Sequence, residues 1–388
     1  MIAPDALRLP QPNGSLAAFR PHAVDVYPVG ARPLAQRRTA FAAAHVVCDP
    51  LAPDAPATRV DWDATLSYRR LLWRLGFGVA EAMDTAQRGM GLTWDNAREL
   101  VRRSAREAAA CGGRIASGAG TDDLDPAHAH SLDAIERAYL DQCAYVEGCG
   151  SQIILMASQA LVRGARSPED YARVYARVLG QVREPVIVHW LGAAFDPQLA
   201  GYWGSADLDA ATETCVEILT RHAEHVDGIK ISLLDAQREI DLRRRLPAGV
   251  RMYTGDDFNY PALIAGDELG YSDALLSIFD AIAPAAAAAL DALDRDDRAA
   301  YDRIFAPTLA LSRHIFASPT SAYKTGIVFL AYLNGHQSHF RMLAGAESAR
   351  SVVHLARLFE LAYAAGLIVD VERAAQRMRR FLALAGIV

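Results

Sequence analysis

The segment Val226-Asp227-Gly228-Ile229-Lys230-Ile231-Ser232-Leu233-Leu234 is an apolar run with a single lysine at its centre. A short apolar run of this kind predicts a buried β-strand. Side chains alternate along a strand, so Lys230 shares one face with Gly228 and Ser232, and the larger aliphatic side chains share the other. The aliphatic face can pack against covering helices, which leaves the lysine pointing into the interior of a barrel.

Lysine is rare in this chain. Of the 40 lysine and arginine residues, only Lys230 and Lys324 are lysines. Arginine supplies charge everywhere else, which indicates that Lys230 has a task that a guanidinium group cannot perform. Burial lowers the pKa of a lysine and frees its lone pair to attack a carbonyl and form a Schiff base. The structural alternative is a lysine that pairs with a neighbouring acid such as Asp256.

The bulk properties are those of a globular protein with a small-molecule partner. The chain has 388 residues, 52% hydrophobic and 22% charged, and a net charge of -6. The charge and the absence of a basic block argue against nucleic acid or an anionic membrane as the partner. Five cysteines without a CxxC pair predict reduced thiols, and the absence of an apolar targeting segment predicts a cytoplasmic protein.

Strand-like and helix-like patterns alternate along the chain, which is typical of a parallel sheet covered by helices. The predicted strands are 42–48, 78–83, 114–118, 152–156, 185–190, 228–233, 250–254 and 274–279. The predicted helices are 62–75, 96–110, 131–147, 167–182, 207–224, 285–293, 297–304, 323–333 and 349–364. The pattern predicts an α/β fold, a (β/α)8 TIM barrel at 39–284, preceded by a leader at 1–38 and followed by a C-terminal helical extension at 285–388.

Active sites of such barrels lie at the carboxyl ends of the strands. Residues that can carry chemistry lie on several predicted strands or directly after them: His45, Asp49, Glu81, Asp84, Thr85, His189, Trp190, Lys230, Asp256 and Asp257. Imidazole has a pKa of about 6.5, so His189 suits a general acid or base near neutrality. Trp190 beside it is predicted to form a stacking wall for a sugar ring.

Three segments resemble motifs of one family in the order and spacing of that family. Val226–Lys230 is similar to its "GIK" segment with the Schiff-base lysine, Tyr253–Asp257 to its "SGDD" segment, and Ala281–Pro284 to its "NVAP" segment. Tyr323–Gly326 also resembles its "PxK" segment, which gives Lys324 a structural role. The chain thus resembles, over about residues 40–370, the dihydrodipicolinate synthase and N-acetylneuraminate lyase superfamily of class I aldolases, and most closely an uncharacterised bacterial branch of it.

The departures from the family concern the substrate. The carboxylate-binding "GTTGE" turn corresponds to Asp84–Arg88, where Thr85 is kept, Asp84 would repel a substrate carboxylate and Arg88 could bind one instead. His189 and Trp190 replace the family's strand-five "YN" pair, so proton transfer would fall to His189.

The remaining predicted substrate-binding residues lie around the lysine: Ser232, Gly255, Asp256 and Asp257. The two aspartates could bind sugar hydroxyls, hold Lys230 or cap the helix that begins near Asn259.

The resemblance implies a Schiff-base-forming lyase or aldolase that acts on a small 2-oxo acid or keto-sugar derivative by C–C cleavage or dehydration. We expect Lys230 and His189 to be catalytic, no cofactor or metal, and a homo-dimer or homo-tetramer. One alternative is a metal-dependent sugar isomerase or lyase with ligands from His45, Asp49, Glu81, His189 and Asp256. The other is a non-catalytic sugar-acid-binding protein on the same barrel.

Overall fold

The structure is a computed structural model and describes residues 7–27, 30, 37–53, 58–125 and 127–387. Its strands are β1 (Arg8–Pro10), β2 (Leu16–Ala18), β3 (Ala40–Ala43), β4 (Gly78–Glu81), β5 (Ile115–Ala119), β6 (Gln152–Leu155), β7 (Val186–Leu191), β8 (Val226–Ser232), β9 (Arg251–Thr254) and β10 (Asp273–Leu276). Its α-helices are α1 (Trp62–Arg74), α2 (Trp94–Cys111), α3 (Leu132–Gly148), α4 (Gln159–Gly164), α5 (Pro168–Leu179), α6 (Leu208–Arg221), α7 (Ala236–Arg243), α8 (Tyr260–Ala265), α9 (Ile278–Ala281), α10 (Ala283–Asp294), α11 (Arg298–Ile315), α12 (Tyr323–Asn334), α13 (Val352–Ala364) and α14 (Val371–Leu384).

Strands β3 to β10 close a barrel in the order β10-β3-β4-β5-β6-β7-β8-β9. Every neighbouring pair in it is parallel. The predicted (β/α)8 TIM barrel with a C-terminal helical extension is therefore confirmed. Side chains from seven of the barrel strands, with one from the turn after β4, form a buried hydrophobic cluster: Phe41, Ala43, Ala80, Met83, Ala116, Ile154, Ile187, Tyr253 and Leu275.

The described residues cluster into two compact units. The first contains those of 36–44 and 77–277, and hence the whole barrel sheet. The second contains those of 1–35, 45–76 and 278–388. In the second unit α12 is buried along residues 323–333, and Phe19 packs edge-to-face against Phe359 and Tyr363. The predicted domain boundaries after residues 38 and 284 stay predictions.

Several elements differ from the sequence-based expectation. The hairpin of β1 and β2 lies in the predicted leader. The first barrel strand ends at Ala43, and the last ends at Leu276 because the chain turns into α9. Helix α11 continues through Pro307 to Ile315, and α8 is the helix expected to begin near Asn259, whereas α4, α7 and α14 were not predicted. In the part of the chain that the structure describes, no helix is long and apolar enough to cross a membrane.

Candidate active site

Lys230 lies near the carboxyl end of β8 and is 3% exposed. It is in register with His189 of β7 on one side and with Tyr253 of β9 on the other. Burial lowers the pKa of Lys230, and the charges of Asp84 and Asp257 oppose that shift. A lowered pKa increases the fraction of neutral amine, which is the form that attacks a carbonyl.

His189 occupies the neighbouring position on β7 and is also buried. Its Nε2 lies 3.3 Å from Oγ of Ser232, the residue on the same face of β8 as Lys230. Its Nδ1 has no hydrogen-bond partner among the described residues. Burial and the nearby charge of Lys230 hold the pKa of His189 well below its usual value, against the opposing charge of Asp84. The ring is therefore neutral at physiological pH, with one nitrogen available to a ligand.

The turn after β4 brings Asp84 and Thr85 to the same site. Asp84 is 5% exposed, and its charge acts on both Lys230 and His189. Thr85 donates a hydrogen bond from its hydroxyl to Oγ of Ser277 at 2.8 Å. Sequence reasoning missed Ser277, because nothing near it in the sequence distinguishes it from other serines.

Arg88, at the end of the same turn, is bound to protein acceptors. Its Nε and Nη2 donate to the two carboxylate oxygens of Asp122 at 2.9 and 2.8 Å. Nη2 also donates to Gln142, and Nη1 to the carbonyl oxygens of Gly118 and Ala82. These bonds hold the guanidinium group in the barrel wall, and its predicted contact with a substrate carboxylate stays a prediction.

The turn after β9 approaches the lysine closely at Gly255. A Cβ atom there would lie 2.8 Å from Cε of Lys230 and would also clash with Oγ of Ser232. Asp256 accepts hydrogen bonds from the backbone N–H groups of Phe258 and Asn259 at 2.8 and 3.1 Å, in the turn that precedes α8. Its role in capping, in binding sugar hydroxyls or in holding Lys230 stays a prediction. Asp257 is 2% exposed, and its charge acts on Lys230.

Two of the predicted residues lie elsewhere in the barrel. Trp190 follows His189 on β7 and therefore points to the opposite face of the strand, where its ring packs edge-to-face against Trp203 at 6.0 Å. Glu81 is fully buried, and its carboxylate accepts a hydrogen bond from the backbone N–H of Ala82 at 2.8 Å. Roles for Trp190 and Glu81 in binding stay predictions.

A buried acid in the barrel unit was not predicted. Glu239 of α7 is 1% exposed and accepts hydrogen bonds from the hydroxyls of Ser272 at 2.7 Å and Thr254 at 3.0 Å. Burial raises the pKa of Glu239 to about 8. Asp235 and Asp241 lie close to Glu239 in the sequence, so no local pattern indicates which of the three acids is buried.

His45 and Asp49 belong to the second compact unit. Nδ1 of His45 lies 2.9 Å from Oδ2 of Asp280, and both residues are 1% exposed. Asp49 accepts a hydrogen bond from Nε of Arg59 at 2.7 Å. Among the described residues, no group of three or more His, Cys, Asp or Glu side chains is arranged to hold a metal ion.

The barrel resembles solved structures of one class of protein. Dihydrodipicolinate synthase from Aquifex aeolicus is 12% identical, with a TM-score of 0.66, and the match covers 86% of this chain and 99% of that chain. A putative dihydrodipicolinate synthetase from Pseudomonas aeruginosa is 15% identical, with a TM-score of 0.65 and coverage of 84% and 99%. The chloride-inhibited synthase from Acinetobacter baumannii, solved with pyruvate, is 15% identical, with a TM-score of 0.62 and coverage of 86% and 100%.

These likenesses show that the chain shares the fold of the dihydrodipicolinate synthase structures. The chain itself belongs to the family described as "Protein of unknown function (DUF993)", which it matches over residues 7–387. No curated protein shows significant sequence similarity to it.

Proposed function

We propose that the protein is a Schiff-base-forming lyase that acts on a small 2-oxo acid or keto-sugar derivative. The observation that carries this proposal is the placement of Lys230, buried near the carboxyl end of β8 and in register with the neutral His189. The fold similarity supports a reaction of the class I aldolase type, and one similar enzyme was solved with pyruvate.

The chemistry begins with attack of the neutral amine of Lys230 on the carbonyl carbon. The carbinolamine that forms takes up a proton and loses water, which leaves an iminium ion. The positive nitrogen accepts the electron pair released by C–C cleavage or by removal of a proton before β-elimination, and an enamine results. His189 is the proton carrier in this scheme, because its Nδ1 has no protein partner among the described residues and Ser232 contacts its Nε2. Protonation of the enamine after C–C cleavage, or departure of the β-hydroxyl as water in the elimination, restores an iminium ion. Hydrolysis of that ion releases the product and returns the free amine.

Trapping of the imine tests the proposal. The protein is incubated with a panel of oxo acids and keto sugars, reduced with borohydride, and examined by intact-protein mass spectrometry and peptide mapping. We expect a stable adduct on Lys230 with at least one member of the panel and loss of both adduct and turnover in Lys230→Arg.

The second lysine provides the matched control. Lys324 is also buried, and its Nζ donates to the carbonyl oxygen of Ser321 at 3.3 Å. Lys324→Arg should keep the adduct and the turnover. Substantial turnover in Lys230→Arg, or an adduct that maps to Lys324 alone, would remove the Schiff-base mechanism. A homo-dimer or homo-tetramer and a cytoplasmic location stay predictions from the sequence.

A further inference from the structure

We propose that the substrate bound at Lys230 carries no carboxylate next to its carbonyl group, so that it is an uncharged keto sugar or hydroxyketone and not a 2-oxo acid. This inference rests on the Schiff-base function proposed above and narrows its substrate class. Three features of the site carry it: the bonds of Arg88, the backbone of the turn after β4, and the carboxylates around the lysine.

Arg88 has no N–H left for a substrate. A guanidinium group offers five N–H donors, and Arg88 directs them to Asp122, Gln142 and the carbonyl oxygens of Gly118 and Ala82. The bidentate pair with Asp122 already satisfies the geometry in which arginine binds a carboxylate. A substrate carboxylate would have to compete with an acid that the protein itself supplies.

Three backbone N–H groups of the turn are likewise bound to acceptors within the turn. The N–H of Ala86 donates to the carbonyl oxygen of Met83 at 3.0 Å, and the N–H of Gln87 to that of Asp84 at 2.8 Å. The N–H of Arg88 donates to Met83 as well, at 3.3 Å. Anion-binding turns present such N–H groups to the ligand, whereas these three donate within the turn.

The charges that act on Lys230 are those of two carboxylates. Asp84 and Asp257 are both buried, at 5% and 2% exposure, and both act on Lys230, while His189 is neutral. The iminium ion carries one positive charge on the lysine nitrogen, which the two carboxylates stabilise. A 2-oxo acid would add a third carboxylate beside them, and like charges repel strongly where water is excluded. An uncharged carbonyl compound adds no such repulsion, and its hydroxyl groups can donate hydrogen bonds to the same carboxylates.

The experiment compares pyruvate with its uncharged methyl ester and with hydroxyacetone, which share its three-carbon skeleton at the carbonyl. Each compound is trapped on the whole protein with cyanoborohydride, and the rate of adduct formation at Lys230 is followed by mass spectrometry. The same rates measured with N-α-acetyl-lysine correct for intrinsic reactivity. After correction, we expect the wild-type protein to prefer the uncharged compounds by tenfold or more, that is, by at least about 1.4 kcal/mol.

Asp84→Asn removes one negative charge without changing the shape of the side chain. The preference for uncharged compounds should fall by about tenfold in this variant, since one of the two repelling carboxylates is gone. Asp227→Asn is the matched control. Asp227 lies on the same strand, roughly 10 Å from Lys230 along the backbone, and its carboxylate accepts a hydrogen bond from Tyr253, so the preference should not change.

The outcomes separate the substrate class from the mechanism. Adducts at Lys230 that form with pyruvate as readily as with its methyl ester would overturn the substrate class and leave the Schiff base standing. The absence of any adduct at Lys230 with all three compounds and with the wider panel would overturn the proposed function and this inference with it. The corrected wild-type ratio decides the question even where Asp84→Asn does not fold.

Discussion

The imidazole of His189 owes its neutral state to its surroundings. Burial disfavours its charged form, and the adjacent Lys230 adds a like charge, so its pKa is well below the ordinary value. A neutral ring accepts a proton without first losing one. We therefore propose that His189 serves the proton-transfer steps that follow imine formation, in which a base removes a proton from a substrate carbon before elimination, or from the substrate hydroxyl that becomes a carbonyl group on C–C cleavage.

Replacing His189 should separate these steps from imine formation. Gln keeps hydrogen-bonding capacity but cannot titrate, so His189→Gln should lower kcat by roughly 10²- to 10⁴-fold, the usual contribution of a general acid or base. Trapping at Lys230 should persist, because the nucleophile is intact. Steady-state kinetics and the trapping assay measure the two effects.

The pH dependence of turnover by the wild-type protein tests the lowered pKa of His189 separately. Because the pKa of His189 is well below 6.5, we expect no inflection of turnover near pH 6.5. Turnover of His189→Gln within a few-fold of wild type would contradict the assigned role, and a wild-type inflection near pH 6.5 would contradict the environment described for the ring.

At the scale of secondary-structure elements, the site depends on how closely the turn after β9 approaches the end of β8. The N–H of Gly255 donates to the carbonyl oxygen of Ile231 at 2.9 Å, which fixes the turn against the strand. A side chain on Gly255 would occupy the space of Cε of Lys230. The glycine is therefore required by close approach and not by a left-handed backbone.

Gly255→Ala should displace the lysine and reduce the rate of imine trapping by at least tenfold. Overpacking of this kind costs about 1–3 kcal/mol of stability, which thermal unfolding would register. Gly148→Ala is the matched control, because a Cβ at the end of α3 meets nothing within 4 Å. If Gly255→Ala forms the imine adduct at the wild-type rate, the turn or the lysine adjusts to the added methyl group, and the close approach is not required for imine formation.

The elements also show which parts of the structure are readable from sequence. Parallel barrel strands are buried on both faces and appear as apolar runs, so all the barrel strands except the first were predicted to within three residues at each end. Helix α7 was missed because it has only eight residues and most of them are polar. The first strand was predicted too long because the chain after Ala43 forms no ladder, and the N–H of His45 donates to Asp280 at 2.7 Å.

The same limits apply to the candidate site. Alternation along β8 and β7 predicts that Lys230, Ser232 and His189 share one face, and the structure places them together. Alternation also implies that Trp190 faces away from His189. The predicted role of Trp190 as a stacking wall for a sugar ring required both side chains to face the same site. The bonds of Arg88 to Asp122 and Gln142 join residues 34 and 54 positions apart, and no local pattern reveals such pairs.

At the scale of the whole molecule, Glu239 links stability to pH. In the folded protein its pKa is raised from 4.5 to about 8 by burial, so between these values the folded chain keeps a proton that the unfolded chain loses. The folded state then binds more protons, and the free energy of unfolding falls as pH rises, by about 1.4 kcal/mol per pH unit for one group. The stability that protonated Glu239 contributes is complete below about pH 4.5 and is lost as pH rises through about 8.

Glu239→Gln should abolish that slope, because the amide does not titrate and can still bond with Ser272 and Thr254. We expect the variant to match or fall slightly below wild type at pH 5 and to exceed it in stability at pH 8, as measured by urea unfolding at a series of pH values. Glu217→Gln, at an exposed position of α6, should leave the slope unchanged. All other titrating groups are common to wild type and variant, so the difference between their curves isolates Glu239. If the free energy of unfolding of wild type and of Glu239→Gln changes in parallel from pH 5 to pH 8, Glu239 is already ionised in the folded state. Its two hydroxyl partners would then stabilise the carboxylate.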